Sequence, residues 1–414
     1  MRKFSVPTIN GSLLLLLVFA GTSALAQEKV LYQFPGGNKG DDPQYGLVFD
    51  SKGNGYGTTY YGGTYGWGTI FELERSNRGW KEQVLYNFLG SDDGFDPSGN
   101  LLIDASGNLY GTTSGGGTGT GCLQGSEACG GTVFELEQSN GIWKHIVLYS
   151  FCSRSGCSDG AVPSGLTLDR AGNLYGITYG GGQGCEYGCG TVYMLASLNG
   201  AWKESVLHSF DDNGDGYYPS SGIAIDDAGK LYGTTSSGGG YGYGVVYELK
   251  HAKHGWQEVM IYAFDGSTNN KDPNGNLTLD PSGDIFGTTT GGYSGCTYQC
   301  GMVYRLSRSN GQWGESVIYT FDGTHGASPN PGLARDSAGN FYGSTILGGS
   351  NDFGEIFELK PGKTWTIELL YSFPTGTVSP NPGLIFGPDG DLYGTTAPGG
   401  YDDQYYGQVF EILK

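Results

Sequence analysis

The chain has 414 residues and a formal net charge of −19 at neutral pH. An acidic surface repels phosphate groups, which disfavours nucleic acids and anionic membranes as partners. The 78 glycines show no three-residue period, which excludes collagen, and 14% aromatic residues are too many for a disordered chain.

The first 26 residues have the features of a secretory signal peptide. Basic residues precede the apolar run 13–20, and a small-x-small cleavage site ends at Ala26. We expect cleavage before Gln27, which leaves 27–414 as the mature protein. The apolar run is shorter than the ~20 residues that span a membrane. The chain ends at Lys414 directly after a predicted strand, so we expect a secreted protein with no membrane insertion, with the periplasm as the alternative location.

The phrase Leu-Tyr-Gly-Thr-Thr, or a close variant of it, recurs seven times along the chain. Its glycine is found at Gly57, Gly111, Gly176, Gly233, Gly287, Gly343 and Gly394. A spacing of 51 to 65 residues indicates stacked or circular repetition of one supersecondary unit.

The third unit shows what each repeat contains. Its strand-like segments are Gly165–Asp169, Leu174–Thr178, Gly190–Leu195 and Trp202–Phe210, and turn residues separate them. Four short strands per unit predict a propeller blade. The chain is therefore predicted to be all-β, a single seven-bladed β-propeller with four antiparallel strands per blade. The predicted blades are 35–88, 89–151, 152–210, 211–264, 265–321, 322–373, and 374–414 together with 30–34.

An Asp-x-x-Gly turn follows the first strand in six of the units. These aspartates are Asp50, Asp104, Asp169, Asp226, Asp280 and Asp336. An Asp that opens a tight turn, with Gly in the left-handed position, is typical of hairpins. The alternative is a ring of catalytic carboxylates.

In six units a tryptophan stands four residues before an apolar residue of the fourth strand, and these are Trp80, Trp143, Trp202, Trp256, Trp313 and Trp365. A seventh copy of that strand, Val30–Phe34, stands at the N-terminus and would have its tryptophan at Ala26. The last unit stops after its third strand, at Leu413. We therefore predict that the N-terminal strand completes the last blade and closes the ring, and that the six tryptophans serve core or inter-blade packing.

Eight cysteines form four pairs that are close in sequence. The pairs are Cys122 with Cys129, Cys152 with Cys157, Cys185 with Cys189, and Cys296 with Cys300. In an exported protein, such pairs predict disulfide bonds. Zinc is the alternative, but no histidine is close to these pairs in sequence.

The segments Gly107–Thr113 and Gly130–Leu136 read Gly-Asn-Leu-Tyr-Gly-Thr-Thr and Gly-Gly-Thr-Val-Phe-Glu-Leu. This combination resembles the GloVer repeat of secreted bacterial proteins, and the resemblance extends over essentially the whole mature chain. The resemblance implies a secreted tandem-repeat protein. It implies no reaction and no catalytic residue.

The loops between second and third strands, and those between blades, are long and variable, and they fall on one face of the predicted disc. We expect a binding face there. Aromatic rings in these loops are candidates for stacking on sugar rings, and they are Tyr61, Tyr65, Trp67, Tyr241, Tyr243 and Tyr405. The alternative is that these rings pack on neighbouring loops.

One loop resembles the start of a calcium-binding loop. Asp211, Asn213 and Asp215 match Asp-x-Asn-x-Asp-Gly. The twelfth position is Gly222 rather than glutamate, so a solvated acidic turn is the alternative. Calcium is the only cofactor that the sequence suggests.

The sequence favours a monomeric scaffold that binds a glycan or another extracellular ligand, such as a protein, on the loop face. No catalytic motif is recognisable, and we assign no catalytic residue. One alternative is a glycan hydrolase or lyase that uses loop carboxylates such as Asp92, Asp96, Asp402 and Asp403. The other is a structural or protein-interaction propeller.

Overall fold

The computed structural model describes residues 26–77, 79–119, 130–185, 188–211, 213–267, 271–291, 300–374, 379–398 and 406–413. These residues form β-strands and two short 3₁₀-helices, Gly37–Lys39 and Ser155–Cys157. No helix in this part of the chain is long and apolar enough to cross a membrane.

The strands, numbered in chain order, assemble into separate antiparallel sheets that correspond to blades. Blade 1 contains β2 (Val48–Phe49), β3 (Gly55–Thr59), β4 (Thr69–Ser76) and β5 (Gly79–Asn87). Blade 2 contains β6 (Phe95–Ile103), β7 (Leu109–Gly115), β8 (Thr132–Ser139) and β9 (Ile142–Ser150). Blade 3 contains β10 (Ala161–Leu168), β11 (Leu174–Gly180), β12 (Thr191–Leu198) and β13 (Ala201–Ser209). Blade 4 contains β14 (Tyr217–Ile225), β15 (Leu231–Ser237), β16 (Val245–Ala252) and β17 (Gly255–Ala263).

The remaining blades follow the same plan. Blade 5 contains β18 (Thr278–Leu279), β19 (Ile285–Thr289), β20 (Met302–Ser309) and β21 (Gln312–Thr320). Blade 6 has its first strand in two pieces, β22 (Ala327–Pro329) and β23 (Ala334–Arg335), followed by β24 (Phe341–Leu347), β25 (Glu355–Lys360) and β26 (Thr366–Ser372). Blade 7 contains β27 (Ile385–Phe386), β28 (Leu392–Thr396), β29 (Gln408–Leu413) and β1 (Gln27–Gln33). The predicted seven-bladed propeller is confirmed.

The N-terminal strand closes the ring. β1 pairs antiparallel with β29, with Gln27 opposite Leu413, as predicted. The N–H of Ala26 donates to Leu370 O of blade 6 at 2.9 Å, and Ala26 packs where the other blades have tryptophan. β1 begins at the residue that follows the predicted cleavage position, whereas cleavage itself stays a prediction.

The six tryptophans pack between blades, as expected. Trp202, for example, meets Tyr110 of the preceding blade edge-on, with ring centroids 6.4 Å apart. Trp80 makes the same contact with Tyr393 across the closure of the ring, at 6.2 Å. Each repeated Tyr-Gly-Thr phrase thus supplies both a buried strand and the ring on which the next blade packs.

The repeated aspartates are turn residues. Asp50 Oδ1 accepts the N–H groups of Lys52 and Asn54, at 2.8 and 2.9 Å, and the hydroxyl of Tyr56 lies 3.2 Å from Asp50 Oδ2. The other repeats have equivalent bonds at Asp104, Asp169, Asp226, Asp280 and Asp336. These bonds give the carboxylates a local role in the turns.

The first strands line the centre of the ring, and several are longer than the sequence suggests. β10 begins at Ala161 and includes Pro163, whereas the predicted strand begins at Gly165. The residue before this proline has a left-handed backbone in six blades, and these residues are Asp42, Asp96, Val162, Tyr218, Asp272 and Ser328. Their N–H groups donate to backbone carbonyls of the preceding blade, so this unusual conformation joins neighbouring blades.

Two of the predicted disulfides are formed, between Cys152 and Cys157 and between Cys185 and Cys189. Cys300 is also disulfide-bonded. Its predicted partner Cys296, like the pair Cys122 and Cys129, lies outside the described residues.

Candidate functional site

The two loops of blade 1 on the loop face are joined by a short backbone ladder. The N–H of Asp41 donates to Tyr61 O at 3.0 Å, and the N–H of Tyr61 donates to Asp41 O at 3.2 Å. The N–H of Tyr60 donates to Asp42 O at 2.9 Å. This ladder fixes the Tyr61 backbone beside two acidic residues of the inter-blade loop.

Tyr61 presents an aromatic ring among carboxylates. Its side chain is 49% exposed and meets Tyr60 edge-on, with centroids 4.6 Å apart. Burial raises the pKa of Tyr61, and the negative charges of Asp96, Asp42 and Asp41 raise it further. The hydroxyl therefore stays protonated at neutral pH and remains available as a hydrogen-bond donor.

The neighbouring carboxyl groups are themselves partly desolvated. Burial raises the pKa of Asp42, opposed by the hydrogen bond that Gln44 donates at 2.7 Å. Burial also raises the pKa of Asp96, opposed by a hydrogen bond from Tyr60. Asp96 Oδ1 is buried and has no hydrogen-bond partner in the described part of the chain. A cavity of about 340 Å³ opens beside Asp42, Gln44 and Tyr45.

Trp67 lies at a position that the repeats share. Its carbonyl accepts the N–H of the left-handed residue of the next blade, as do the carbonyls of Tyr243 and Tyr406 in their blades. Trp67 packs on Gly90, where no side chain would fit, and touches Phe95 with ring centroids 5.2 Å apart. The Trp67 side chain is 42% exposed, so one side of the ring packs on a loop and the remainder faces solvent.

The predicted aromatic residues fall into two groups. Tyr61, Tyr65 and Trp67 lie in one loop of blade 1. Tyr241 and Tyr243 lie in the equivalent loop of blade 4, three blades further round the ring, and Lys271 Nζ is 6.0 Å from the centroid of the Tyr243 ring. Tyr405 lies outside the described residues, as do Asp402 and Asp403.

A pair of stacked rings was not predicted. Tyr179 and Tyr218 stack with centroids 4.8 Å apart and planes 9° apart, and Tyr179 is 50% exposed. Tyr179 follows the repeated phrase directly, as Tyr60 does in blade 1. This shared position could have identified Tyr179 as a further candidate from the sequence.

The candidate calcium loop is bonded to itself and to a histidine. Asp211 Oδ1 accepts the N–H of Asn213 at 2.8 Å, and Asp215 Oδ1 accepts the N–H of Asp211 at 3.2 Å. Asp215 Oδ2 is 2.8 Å from His208 Nε2. Hydrogen bonds with Asn213 lower the pKa of Asp211. Calcium binding by Asp211, Asn213 and Asp215 stays a prediction, and Asp212 lies outside the described residues.

The central channel is narrow and carries little charge. Its volume is about 360 Å³, and the first strands of all seven blades line it. Gly46 meets Gly383, and Gly165 meets Gly222, so closely that a side chain would collide with the facing backbone. Among the described residues that line the channel, Tyr45 is the only ionisable one. The acidic groups of blade 1 therefore belong to the loop face, not to the channel wall.

Comparison with known proteins agrees with the repeat and the fold. The model of the Gloeobacter/Verrucomicrobia repeat matches residues 17–182, 122–296 and 282–414, which confirms the resemblance seen in the sequence. A search of curated proteins finds no match to the chain.

Several solved structures share the fold at low sequence identity. The extracellular domain of a B. thetaiotaomicron protein, described as a one-component system, has 12% identity and a TM-score of 0.54, and the match covers 94% of this chain and 41% of that protein. An ulvan lyase bound to a GlcA–Rha3S unit has 10% identity and a TM-score of 0.57, with 93% of this chain and 96% of that protein covered. A fungal alcohol oxidase of the AA5 family, in complex with copper, has 13% identity and a TM-score of 0.55, with 94% and 76% covered. At these identities the likeness shows the fold alone.

Proposed function

We propose that this chain, which belongs to the Gloeobacter/Verrucomicrobia repeat family, is a secreted scaffold that binds a glycan on its loop face. The observation that carries the proposal is the half-exposed Tyr61 ring with the carboxyl groups of Asp41, Asp42 and Asp96 around it.

This arrangement suits the two surfaces of a sugar. The flat C–H face of a pyranose packs on an aromatic ring, and carboxylate oxygens accept hydrogen bonds from its hydroxyl groups. A few polar groups beside an apolar wall are typical of small-molecule sites. A neutral sugar also incurs no repulsion from a protein with a net charge of −19.

Export is supported by the disulfides between Cys152 and Cys157 and between Cys185 and Cys189. Disulfides form and persist in oxidising compartments. The extracellular domain among the structural neighbours is consistent with the same location.

A glycan hydrolase or lyase is the second candidate, and Asp96 is the observation that favours it. Its raised pKa and its unpartnered Oδ1 are properties of a general acid or base. Because the central channel is narrow, we place the active site of this second candidate on the loop face as well.

The test is a glycan array with purified protein, with and without EDTA, followed by calorimetric titration of the strongest ligand. Replacing Tyr61 with alanine removes the stacking surface, and we expect the affinity to fall about tenfold. Leu198→Ala is the matched control, because Leu198 is 66% exposed but lies at the turn between the third and fourth strands of blade 3, on the other face.

The outcomes separate the candidates. Equal loss in both variants, or no glycan bound at all, contradicts the proposal and leaves the protein-interaction scaffold. New reducing or unsaturated ends after incubation identify the enzyme. Loss of binding in EDTA identifies a metal requirement.

A further inference from the structure

The geometry points to a second binding site, on the face opposite the loop face, for a ligand that carries a carboxylate or sulfate group beside an apolar ring face. A cavity of about 740 Å³ runs along the turns of blades 4 and 5 and reaches blade 6. Lys230, Arg308, Trp313 and Arg335 line it together with four aspartates, and we call it the turn-face groove.

Arg335 differs from the residues at the same position in the other repeats. Arg335 pairs with Phe341 at the end of the first strand of blade 6. The equivalent residues in the other blades are apolar, and they are Phe49, Ile103, Leu168, Ile225, Leu279 and Phe386. Packing in the other six blades thus uses an apolar side chain at this position. Only in blade 6, beside the groove, is the residue an arginine.

A second position beside the groove also differs from the other repeats, and there a positive charge replaces a negative one. In five blades a glutamate of the third strand pairs with the repeated tyrosine, and these are Glu72, Glu135, Glu248, Glu358 and Glu411. In blade 5 the pair is Arg305 with Phe286. Arg305 forms an ion pair with Asp284, which neutralises an acidic residue of the groove wall.

The other acidic groups of the wall are Asp226, Asp227 and Asp280, of which Asp227 forms an exposed ion pair with Arg170 at 2.7 Å. Asp226 Oδ1 accepts the N–H groups of Ala228 and Lys230, each at 2.9 Å. Asp280 Oδ1 accepts N–H groups of its own turn in the same way, at 2.8 and 3.0 Å. These bonds hold the carboxylates of Asp226 and Asp280 against the backbone. Either carboxylate could rotate towards a ligand only if the bonds that stabilise its turn were broken.

Three cations share one carboxylate at the edge of the groove. Glu248, whose side chain is 1% exposed, has Lys230 Nζ at 3.1 Å, Arg308 Nη2 at 3.2 Å and Lys250 Nζ at 4.0 Å from its oxygens. Asp226, Asp227, Asp280 and Asp284 line the same groove, so the groove as a whole has no excess of positive charge. Among the described residues, Arg335 forms no ion pair, and it is the cation that an anionic group of a ligand would contact.

Arginine and tryptophan also provide shape. The Arg308 guanidinium carbon lies 4.7 Å from the centroid of the Trp313 ring. Arg335 Nε and Trp313 Nε1 are donors without a hydrogen-bond partner in the described residues. A planar guanidinium next to an indole ring recognises an anionic group on a flat ring, which describes a uronic acid or a sulfated sugar.

The experiment titrates the full-length mature protein with tetragalacturonate, and with maltotetraose as the neutral probe, by calorimetry. We expect the acidic tetramer alone to bind at this site, more weakly at about 200 mM than at about 50 mM NaCl. Arg335→Leu restores the residue type of the other repeats, so it should fold normally and keep its melting temperature. We expect it to lower the affinity at least about tenfold, and Arg308→Ala to do the same.

Arg75→Ala is the matched control. Arg75 occupies the position of Arg308 in blade 1 and lies 5.6 Å over Trp80, but it forms an ion pair with Asp389 and its groove has Ile103 in place of Arg335. Glucuronic acid and glucose 6-sulfate, titrated separately, distinguish carboxylate from sulfate. Failure of all acidic probes to bind, an equal loss of maltotetraose affinity in Arg335→Leu, or an equal loss in Arg75→Ala would overturn the proposal. Maltotetraose binding that Arg335→Leu leaves unchanged belongs to the loop face.

Discussion

The left-handed residues before proline show how single residues join the blades. Helical conformations are disfavoured for a residue that precedes proline, and a positive φ is unusual for a residue with a β-branched side chain. Val162 nevertheless has φ 58°, and its N–H donates to Gly130 O of blade 2 at 2.8 Å. Asp42, Asp96 and Asp272 occupy the same position, and aspartate tolerates this region better than valine. We infer that the bond between blades maintains backbone strain at Val162.

Val162→Asn should therefore stabilise the protein. Asparagine adopts the left-handed region readily, and the free energy of unfolding should rise by about 1 kcal/mol. Chemical denaturation measures this difference. The reverse change in another blade, Asp272→Val, is the control and should lower the free energy by a similar amount. If neither variant changes the stability, no strain is stored at this position.

At the scale of the element, the fourth strands carry buried acidic groups between blades. Glu204 on β13 forms an ion pair with Arg154 and lies near Tyr149 and Asp159. Burial raises the pKa of Glu204 to about 7, although the Arg154 charge opposes this shift. Tyr32 with Glu82, and Tyr371 with Glu28, form related contacts between other neighbouring fourth strands. The interfaces between blades therefore contain groups that respond to pH.

Glu204→Gln should reduce the dependence of stability on pH. Because the folded pKa of Glu204 is raised, the folded protein binds a proton more tightly than the unfolded chain does. Its contribution to the free energy of unfolding thus falls as pH rises from about 4.5 to about 7, and is constant above that range. As pH rises from about 5 to about 8, the stability of the variant should therefore increase relative to that of the wild type. Thermal melting at both pH values measures this change.

Glu74→Gln is the control for this prediction, because Glu74 is an exposed acid on a third strand. A difference between Glu204→Gln and the wild type that is the same at both pH values would contradict the assigned pKa.

The elements that the sequence predicts well are those whose residues have one dominant role. The tryptophans of the fourth strand and the gap in their series at Ala26 were sufficient to predict the closure of the ring. The start of β10 was missed because Pro163 argues against a strand, and only the left-handed Val162 accommodates it.

The candidate sites were less predictable, because their residues come from different repeats. The stack of Tyr179 on Tyr218 joins two blades, and the groove joins Arg308 of blade 5 to Arg335 of blade 6. The repeat alignment identifies such departures, but only the ring shows which of them meet. Aromatic residues in the loops were expected, and the packing of Trp67 on Gly90 is an example of the alternative in which these rings pack on neighbouring loops.

At the scale of the whole molecule, the closed ring separates two faces with different chemistry. The loop face places Tyr61 among acidic groups, and the turn face places Lys230, Arg308 and Arg335 in one groove. The first strands approach closely at Gly46 and Gly383, so the narrow channel offers little room between the faces. We therefore expect the two proposed sites, which lie on opposite faces of the ring, to act independently.

Because β1 and β29 pair antiparallel, the chain could begin in another blade while the order of the blades around the ring stays the same. Gln27 lies opposite Leu413, as Leu198 lies opposite Ala201 at the hairpin of blade 3. That hairpin turns through Asn199 and Gly200, with φ of 54° and 80°, the left-handed pair of a type I′ turn. An Asn-Gly linker can therefore join β29 to β1 with the geometry that the protein already uses.

A circular permutant tests this closure. Its chain begins at Gly200, continues to Leu413, passes through the Asn-Gly linker to Gln27 and ends at Asn199. Blade 3 then becomes the blade that the termini close, and we expect a soluble monomer that unfolds cooperatively within about 10 °C of the parent protein. Calorimetry and size-exclusion chromatography measure both properties. A second permutant, opened between Gly176 and Ile177 inside the buried β11, should fail to fold because the break removes strand pairing from the core of a blade. Failure of the first permutant to fold would contradict the closure of the ring by β1 and β29.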